Sequence, residues 1–66
     1  MTKILIDELL AVKGKTRYWL AKQVGVTYPN MVNLIEGKTK LVKFETLEKI
    51  CNILECKLTD IIKFEE

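Results

Sequence analysis

The residues of this chain that could act on a partner are mainly basic, and they are concentrated in its middle. From Lys13 to Lys43 the sequence carries seven basic residues and one acid, Glu36, whereas the rest carries four lysines and eight acids. This separation of charge creates a directional field suited to an anionic polymer that approaches from one side. In the same stretch, Asn33 has a side chain that can form paired hydrogen bonds with adenine. These residue types predict binding rather than catalysis.

The chain lacks the residues that most hydrolytic sites need. It contains no histidine and no serine, which excludes a serine triad and a histidine general base. Two cysteines, Cys51 and Cys56, cannot by themselves supply the four ligands of a structural zinc ion. On a helix their spacing turns the sulfur atoms about 140° apart, so we predict two reduced thiols in the core. We expect no catalytic site, no metal and no cofactor.

The length of 66 residues predicts a single domain spanning residues 1–66. A domain of this size is marginally stable alone and gains from dimerisation. No apolar stretch approaches the roughly 20 residues that span a bilayer, and the first residues do not have the pattern of a secretory signal. We therefore expect a cytoplasmic protein.

Hydrophobic periodicity predicts an all-α domain of five helices, with short strands at its ends as an addition. The first helix covers residues 5–13, with one apolar face made of Leu5, Leu9 and Val12 and with Ile6 and Leu10 beside it. A fourth helix shows apolar residues at helical spacing, namely Phe44, Leu47, Ile50, Cys51 and Leu54. A short last helix covers residues 58–62.

The middle of the chain predicts two helices joined by a tight turn, over residues 16–37. Thr16 caps the second helix, which ends at Gly25 and turns three residues inward: Leu20, Ala21 and Val24. Thr27 caps a third helix over residues 28–36, whose inner face is Met31, Leu34 and Ile35. Its outer face carries Tyr28, Pro29, Val32, Asn33 and Glu36. Such a helix-turn-helix can place its second helix in the major groove of DNA.

The segment TRYWLAKQVGVTYPNMVNLIEGKTK, followed by FETLEKICNILECKLTDII, resembles the lambda-repressor-like, Cro/cI-type helix-turn-helix family. The resemblance covers nearly the whole chain. It depends on the small Ala21, on Gly25 four residues later, and on apolar residues at Val26, Met31 and Leu34. It implies a five-helix domain that binds double-stranded DNA as a transcriptional regulator. We expect a repressor that acts by occupying a promoter.

The resemblance also implies which residues meet DNA. The base-reading positions of the family correspond to Tyr28, Pro29, Val32 and Asn33, and because only Asn33 can pair with adenine we expect an A·T-rich site. The positions that contact the DNA backbone correspond to Arg17, Thr27, Asn30, Lys38, Thr39, Lys40 and Lys43. Arg17 stands where the family often has glutamine. Glu36 repels phosphate unless a lysine neutralises it.

Tyr18 and Trp19 occupy positions that are commonly polar in the family. We interpret them as packing on a neighbouring segment, with a partner-binding surface as the alternative. Under that alternative the chain is a protein-interaction module, such as an antitoxin or an adaptor, that keeps the helix-turn-helix fold.

A single recognition helix reads only a few base pairs, so we expect a homodimer on a pseudo-palindromic operator. Residues 3–6 and 61–65 are rich in β-branched and aromatic side chains, which predicts short strands that pair within one chain or across two. The other interpretation is that these end segments only close the core of one subunit, through Ile4, Ile6, Ile62 and Phe64.

Overall fold

The computed structural model describes residues 2–64 and contains, within that range, four α-helices, one 3₁₀ turn and two short strands. Their order is β1 (Thr2–Ile4), α1 (Ile6–Lys13), α2 (Arg17–Val24), α3 (Tyr28–Ile35), α4 (Phe44–Leu54), the 3₁₀ turn (Leu58–Asp60) and β2 (Ile62–Phe64). None of the helices in this range is long and apolar enough to cross a bilayer.

The prediction of a fifth helix over residues 58–62 is wrong. Only the 3₁₀ turn forms there, and the chain then enters β2. Pairing with β1 offers the backbone of this segment the hydrogen bonds that another turn of helix would have supplied, and β-branched residues such as Ile61 and Ile62 suit a strand.

The two strands join the ends of the chain into one antiparallel ladder. Ile4 lies opposite Ile62 and Thr2 opposite Phe64. Beyond the ladder, the Leu5 N–H donates to the Ile61 carbonyl at 2.7 Å. The predicted strand pairing therefore occurs within a single chain, although Glu65 lies outside the described residues. Phe64 is 80% exposed and does not close the core.

The core lies between the helices and is apolar throughout the described range. The inner faces predicted for α2 and α3 are confirmed, since every residue named for them is buried. The buried residues are Ile6, Leu10, Leu20, Ala21, Val24, Met31, Leu34, Ile35, Leu47, Ile50, Leu54 and Ile61.

Two residues expected on inner helix faces are exposed. Val12 is 84% exposed, because α1 turns the neighbouring stripe of Ile6 and Leu10 into the core. Phe44 is 83% exposed although it continues the apolar stripe of α4. It is the first residue of that helix, and no other described element covers it.

The two cysteines lie closer together than the helical spacing predicts. The chain reverses at Glu55, whose φ of 53° is left-handed, and the Cys56 N–H donates to the Cys51 carbonyl at 3.0 Å. A helix that ends in this way brings the side chain before the turn, here Cys51, against the side chain after it, here Cys56. Burial, and then the proximity of Cys51, raise the pKa of the Cys56 thiol. Both thiols are free and half-buried, and a raised pKa makes Cys56 less reactive.

Candidate nucleic-acid interface

The outer face of α3 presents the residues predicted to read bases. Tyr28, Pro29 and Asn33 are exposed, and Val32 is half-buried. These four positions share one side of a helix. Thr27 caps the helix, its Oγ1 accepting a hydrogen bond from the Asn30 N–H at 3.3 Å, which confirms the predicted cap. The start of α3 is thereby held in a defined orientation.

The packing of α3 on α2 depends on a small residue and a sharp turn. Ala21 is 2% exposed, and its carbonyl accepts hydrogen bonds from both Gly25 and Val26. Gly25 has a φ of 89°, a left-handed conformation that strains other residues. Met31 is completely buried beneath the turn. The orientation of the exposed face of α3 is therefore set by the buried face of the same helix.

The loop after α3 carries the second predicted group of contacts. It leaves the helix through Gly37, which has a φ of 73°, and the Lys38 N–H donates to the Asn33 carbonyl at 2.8 Å. The polar side chains of the loop are all exposed, namely Lys38, Thr39, Lys40 and Lys43. Lys40 and Lys43 make no ion pair with any residue between 2 and 64.

A shallow cavity of about 310 Å³ links this loop to the start of α3. Asn30 on the helix lines it together with Thr39 and Lys43 from the loop. Three of the residues predicted to contact a DNA backbone are thus brought to one place, although up to thirteen positions separate them in the sequence.

Arg17 has partners that the sequence did not reveal. Its guanidinium donates to both carboxylate oxygens of Asp7, from Nε at 3.0 Å and from Nη2 at 2.5 Å. Its Nη1 donates to Glu36 Oε2 at 3.2 Å. The other oxygen of Glu36 lies 3.0 Å from Lys38 Nζ. We call these four residues the Arg17 cluster; it joins α1, α2, the end of α3 and the following loop.

The Arg17 cluster keeps its two carboxyl groups ionised. Hydrogen bonding from Arg17 lowers the pKa of Asp7, and hydrogen bonds from Lys38 and then Arg17 lower the pKa of Glu36. Because each pKa is depressed in the folded state, the associated stabilisation is present above the ordinary carboxyl pKa and is lost as the pH falls through the lowered value. Near neutral pH the two acids and two bases therefore form a cluster without net charge.

Tyr18 and Lys22 lie beside α3 and were not among the predicted contacts. The rings of Tyr18 and Tyr28 are 5.9 Å apart and tilted by 57°, and Lys22 Nζ lies 5.0 Å from the centre of the Tyr18 ring. Tyr18 is 55% exposed. The sequence signal was available, since Lys22 follows Tyr18 by one helical turn on a face away from Leu20 and Val24.

Trp19 behaves differently from its neighbour. It is half-buried and packs against the core, with Lys15 Nζ 5.1 Å from the centre of its ring. Packing on a neighbouring segment is therefore the correct interpretation for Trp19, while Tyr18 packs on Tyr28 and keeps part of its ring exposed.

Among residues 2–64 no group of acidic or cysteine side chains is arranged to hold a metal ion.

Comparisons with known proteins match this architecture. Residues 6–66 match the model of the Cro/C1-type HTH DNA-binding domain. The chain is 39% identical over 61 residues to the uncharacterised HTH-type transcriptional regulator YozG of Bacillus subtilis, a match that covers 92% of this chain and 73% of YozG. It is also similar to the crystal structure of a candidate DNA-binding protein from Bacteroides fragilis, with a TM-score of 0.82 and 25% identity. That match covers 96% of this chain and all of the other.

Proposed function

Because the chain belongs to the Cro/C1-type helix-turn-helix DNA-binding family, we propose that it is a sequence-specific transcriptional regulator that inserts α3 into the major groove. The observation that carries this proposal is the exposed outer face of α3, held by a buried inner face and followed by a loop of exposed cations. The regulator represses by occupying a promoter, since a protein seated in the major groove excludes other proteins from the same stretch of DNA. We also propose that the protein acts in the cytoplasm.

The proposed contacts divide between bases and backbone. Asn33 pairs with adenine, while Tyr28, Pro29 and the half-buried Val32 contact thymine methyl groups. The loop residues Thr39, Lys40 and Lys43, together with Thr27 and Asn30 at the start of α3, contact phosphates. Arg17 and Lys38 are the remaining backbone contacts, and both are held in the Arg17 cluster of the free protein.

Selection of bound sites from random duplex DNA, followed by mobility-shift titration, tests this function. We expect a selected A·T-rich site that is bound more tightly than random DNA. Titration with heparin distinguishes sequence recognition from attraction to any polyanion. If no sequence is selected and heparin binds as well as DNA, the proposed function is wrong.

The alternative of a protein-interaction module, an antitoxin or adaptor, rested on exposed aromatic residues at positions 18 and 19. Trp19 is half-buried and packs against the core. Tyr18 is 55% exposed, but it packs on Tyr28 of α3 and so lies beside the proposed DNA contacts. We therefore retain DNA recognition as the single proposal.

Salt dependence provides a first quantitative test. Contacts with roughly 3 to 5 phosphates per subunit predict a slope of log K against log salt of about −5 to −9 for a dimer. Lys40→Ala is expected to weaken binding to all sequences nearly equally and to flatten that slope by about one unit per subunit, because each subunit loses one phosphate contact. Titrations at several salt concentrations measure both effects.

Lys49→Ala is the matched control, since Lys49 is an exposed lysine of α4 that lies outside the proposed interface. It should leave the slope unchanged. A slope near zero for the unmodified protein, or equal effects of the two variants, would contradict the assignment of phosphate contacts to the loop.

We further propose that the working unit is a homodimer on a pseudo-palindromic operator with half-sites about 10 base pairs apart. Since β1 and β2 pair within one chain, the candidate dimer surface is an apolar face of α4, the 3₁₀ turn and β2. Two shallow cavities of about 430 and 400 Å³ meet there at Leu58, with exposed Phe44 and Phe64 on either side. None of the proposed DNA contacts lines these cavities, so both surfaces can be occupied together.

Phe44→Ser tests this dimer surface. The exposed ring contributes to association and little to the fold, so we expect weaker self-association, by about 1–2 kcal/mol, with the monomer still folded. Sedimentation at micromolar concentration measures it. Val12→Ser, at an equally exposed position on α1, should leave association unchanged. A strict monomer that binds a non-symmetric site tightly would overturn the dimer.

A further inference from the structure

Two of the cations proposed to contact DNA phosphates are already paired with carboxylates of their own chain. Arg17 is held by Asp7 and Glu36, and Lys38 by Glu36. Lys40 and Lys43 make no such pair with residues 2–64. The proposed backbone-binding surface is therefore partly neutralised before DNA arrives.

The stability of the individual helices does not explain this arrangement. Arg17 begins α2, at the positive end of the helix dipole, and Glu36 follows the last residue of α3, at the negative end. Each charge is thus at the end of the helix that disfavours it. The ion pair between Arg17 and Glu36 offsets these two unfavourable positions. Helix-end preferences therefore do not account for an acid at position 36, and the residues that Glu36 contacts must account for it.

Glu36 and Asp7 do not have the same role in the cluster. Asp7 lies on α1 and holds the guanidinium of Arg17 through two nearly parallel hydrogen bonds, which orients that side chain. Glu36 uses one oxygen for Arg17 and the other for Lys38, and it follows the outer face of α3 directly. It is the acid of the cluster that contacts both cations at the proposed interface.

We propose that Glu36 is a built-in competitor for DNA phosphate and sets the affinity of this protein for the DNA backbone. A phosphate that approaches Lys38 or Arg17 must displace the carboxylate or bind beside it. A lysine whose charge is balanced by its own chain also adds less to the release of counterions from DNA, and this release drives backbone binding. This inference rests on the proposed function and identifies the residue that limits affinity for the DNA backbone.

The variant Glu36→Gln tests the proposal. Glutamine keeps the size of the side chain and an oxygen that can accept from Arg17, but it removes the charge that holds Lys38. One more phosphate contact per subunit should strengthen binding to random duplex DNA by about three- to tenfold at 0.1 M salt and steepen the slope of log K against log salt by about one unit per subunit. Mobility-shift titrations over a salt series measure both quantities.

Glu8→Gln is the matched control, because it removes the same charge from an exposed position of α1 outside the Arg17 cluster. It should change affinity by less than about twofold. If Glu8→Gln acts as strongly as Glu36→Gln, net charge rather than the position of Glu36 determines affinity, and the proposal is overturned. Unchanged affinity and slope in Glu36→Gln also overturn it.

The same experiment distinguishes failure of this inference from failure of the proposed function. If the unmodified protein binds DNA with a selected sequence and Glu36→Gln changes nothing, only the competitor role is wrong. If neither protein binds DNA, the proposed function fails as well. Thermal unfolding of both proteins in parallel shows that each is folded at the temperature of the titration.

Discussion

Asn33→Ala is expected to weaken binding to the preferred DNA site by about 1–3 kcal/mol, roughly a 5- to 150-fold loss, and to weaken binding to random DNA much less. Asn33 is exposed on the outer face of α3, and its amide is the group there best suited to paired hydrogen bonds with adenine. Its backbone carbonyl, which accepts from Lys38, is retained in the variant. Because alanine also favours a helix, the fold should be preserved. Titrations on both DNAs measure the difference.

Gln23→Ala serves as the control for this prediction, since Gln23 is an exposed amide of α2 that is not among the proposed DNA contacts and does not line the cavities of the candidate dimer surface. It should leave the ratio between the two affinities unchanged. Equal losses of Asn33→Ala on the preferred and the random DNA would show that Asn33 reads no base. Loss of preference at an A·T pair alone would identify the base pair that it contacts.

Leu20→Ala is expected to lower the free energy of unfolding by about 2–5 kcal/mol. Leu20 is completely buried in α2, so its loss removes apolar contacts and leaves a cavity in the core. A domain of this length has a total stability of roughly 3–10 kcal/mol, so the variant approaches the limit of folding. Urea unfolding measures the change. DNA binding should fall in proportion to the unfolded fraction, since α3 is positioned by the same core.

The matched control is Leu41→Ala in the loop, where the same chemical change is made at a side chain that is 90% exposed. It should alter the free energy of unfolding by no more than about 0.5 kcal/mol. Similar losses for the two variants would mean that burial does not determine how much each leucine contributes to the free energy of unfolding. That result would contradict the assignment of Leu20 to the core.

Much of the helix-turn-helix follows from signals that lie within a few residues of one another. Thr16 and Thr27 cap the helices that follow them, and both caps form as predicted. Gly25 adopts the left-handed conformation expected at the end of α2. The apolar residues predicted for the inner faces of α2 and α3 recur at helical spacing, and all of them are buried. Local preferences and periodicity agree there, and the prediction held.

Periodicity was less informative where two apolar stripes lie side by side. The stripe of Leu5, Leu9 and Val12 and the stripe of Ile6 and Leu10 both suit a buried face of α1. The core accepts the second and leaves Val12 exposed. A helical pattern shows which residues share a face, but the neighbouring elements decide which face is buried.

Contacts between residues far apart along the chain could not be predicted from the sequence. Asp7 and Glu36 lie 10 and 19 positions from Arg17, and any exposed acid of the chain could have been its partner. The Arg17 cluster and the contact of Tyr18 with Tyr28 therefore appear only in the folded chain. The candidate interface was predicted as a list of side chains, without the charges that balance them.

The sequence by itself determined the two central helices, their caps and turn, and the exposed face of α3, because short-range hydrogen bonding, backbone conformation and burial agree over these residues. Only the tertiary structure decided the pairing of β1 with β2 within one chain, the reversal that brings Cys56 to Cys51, and the partners of Arg17. Each of these depends on how the chain is oriented after a turn or on residues far apart along it. Local sequence does not specify such geometry, and the packing of the whole domain does.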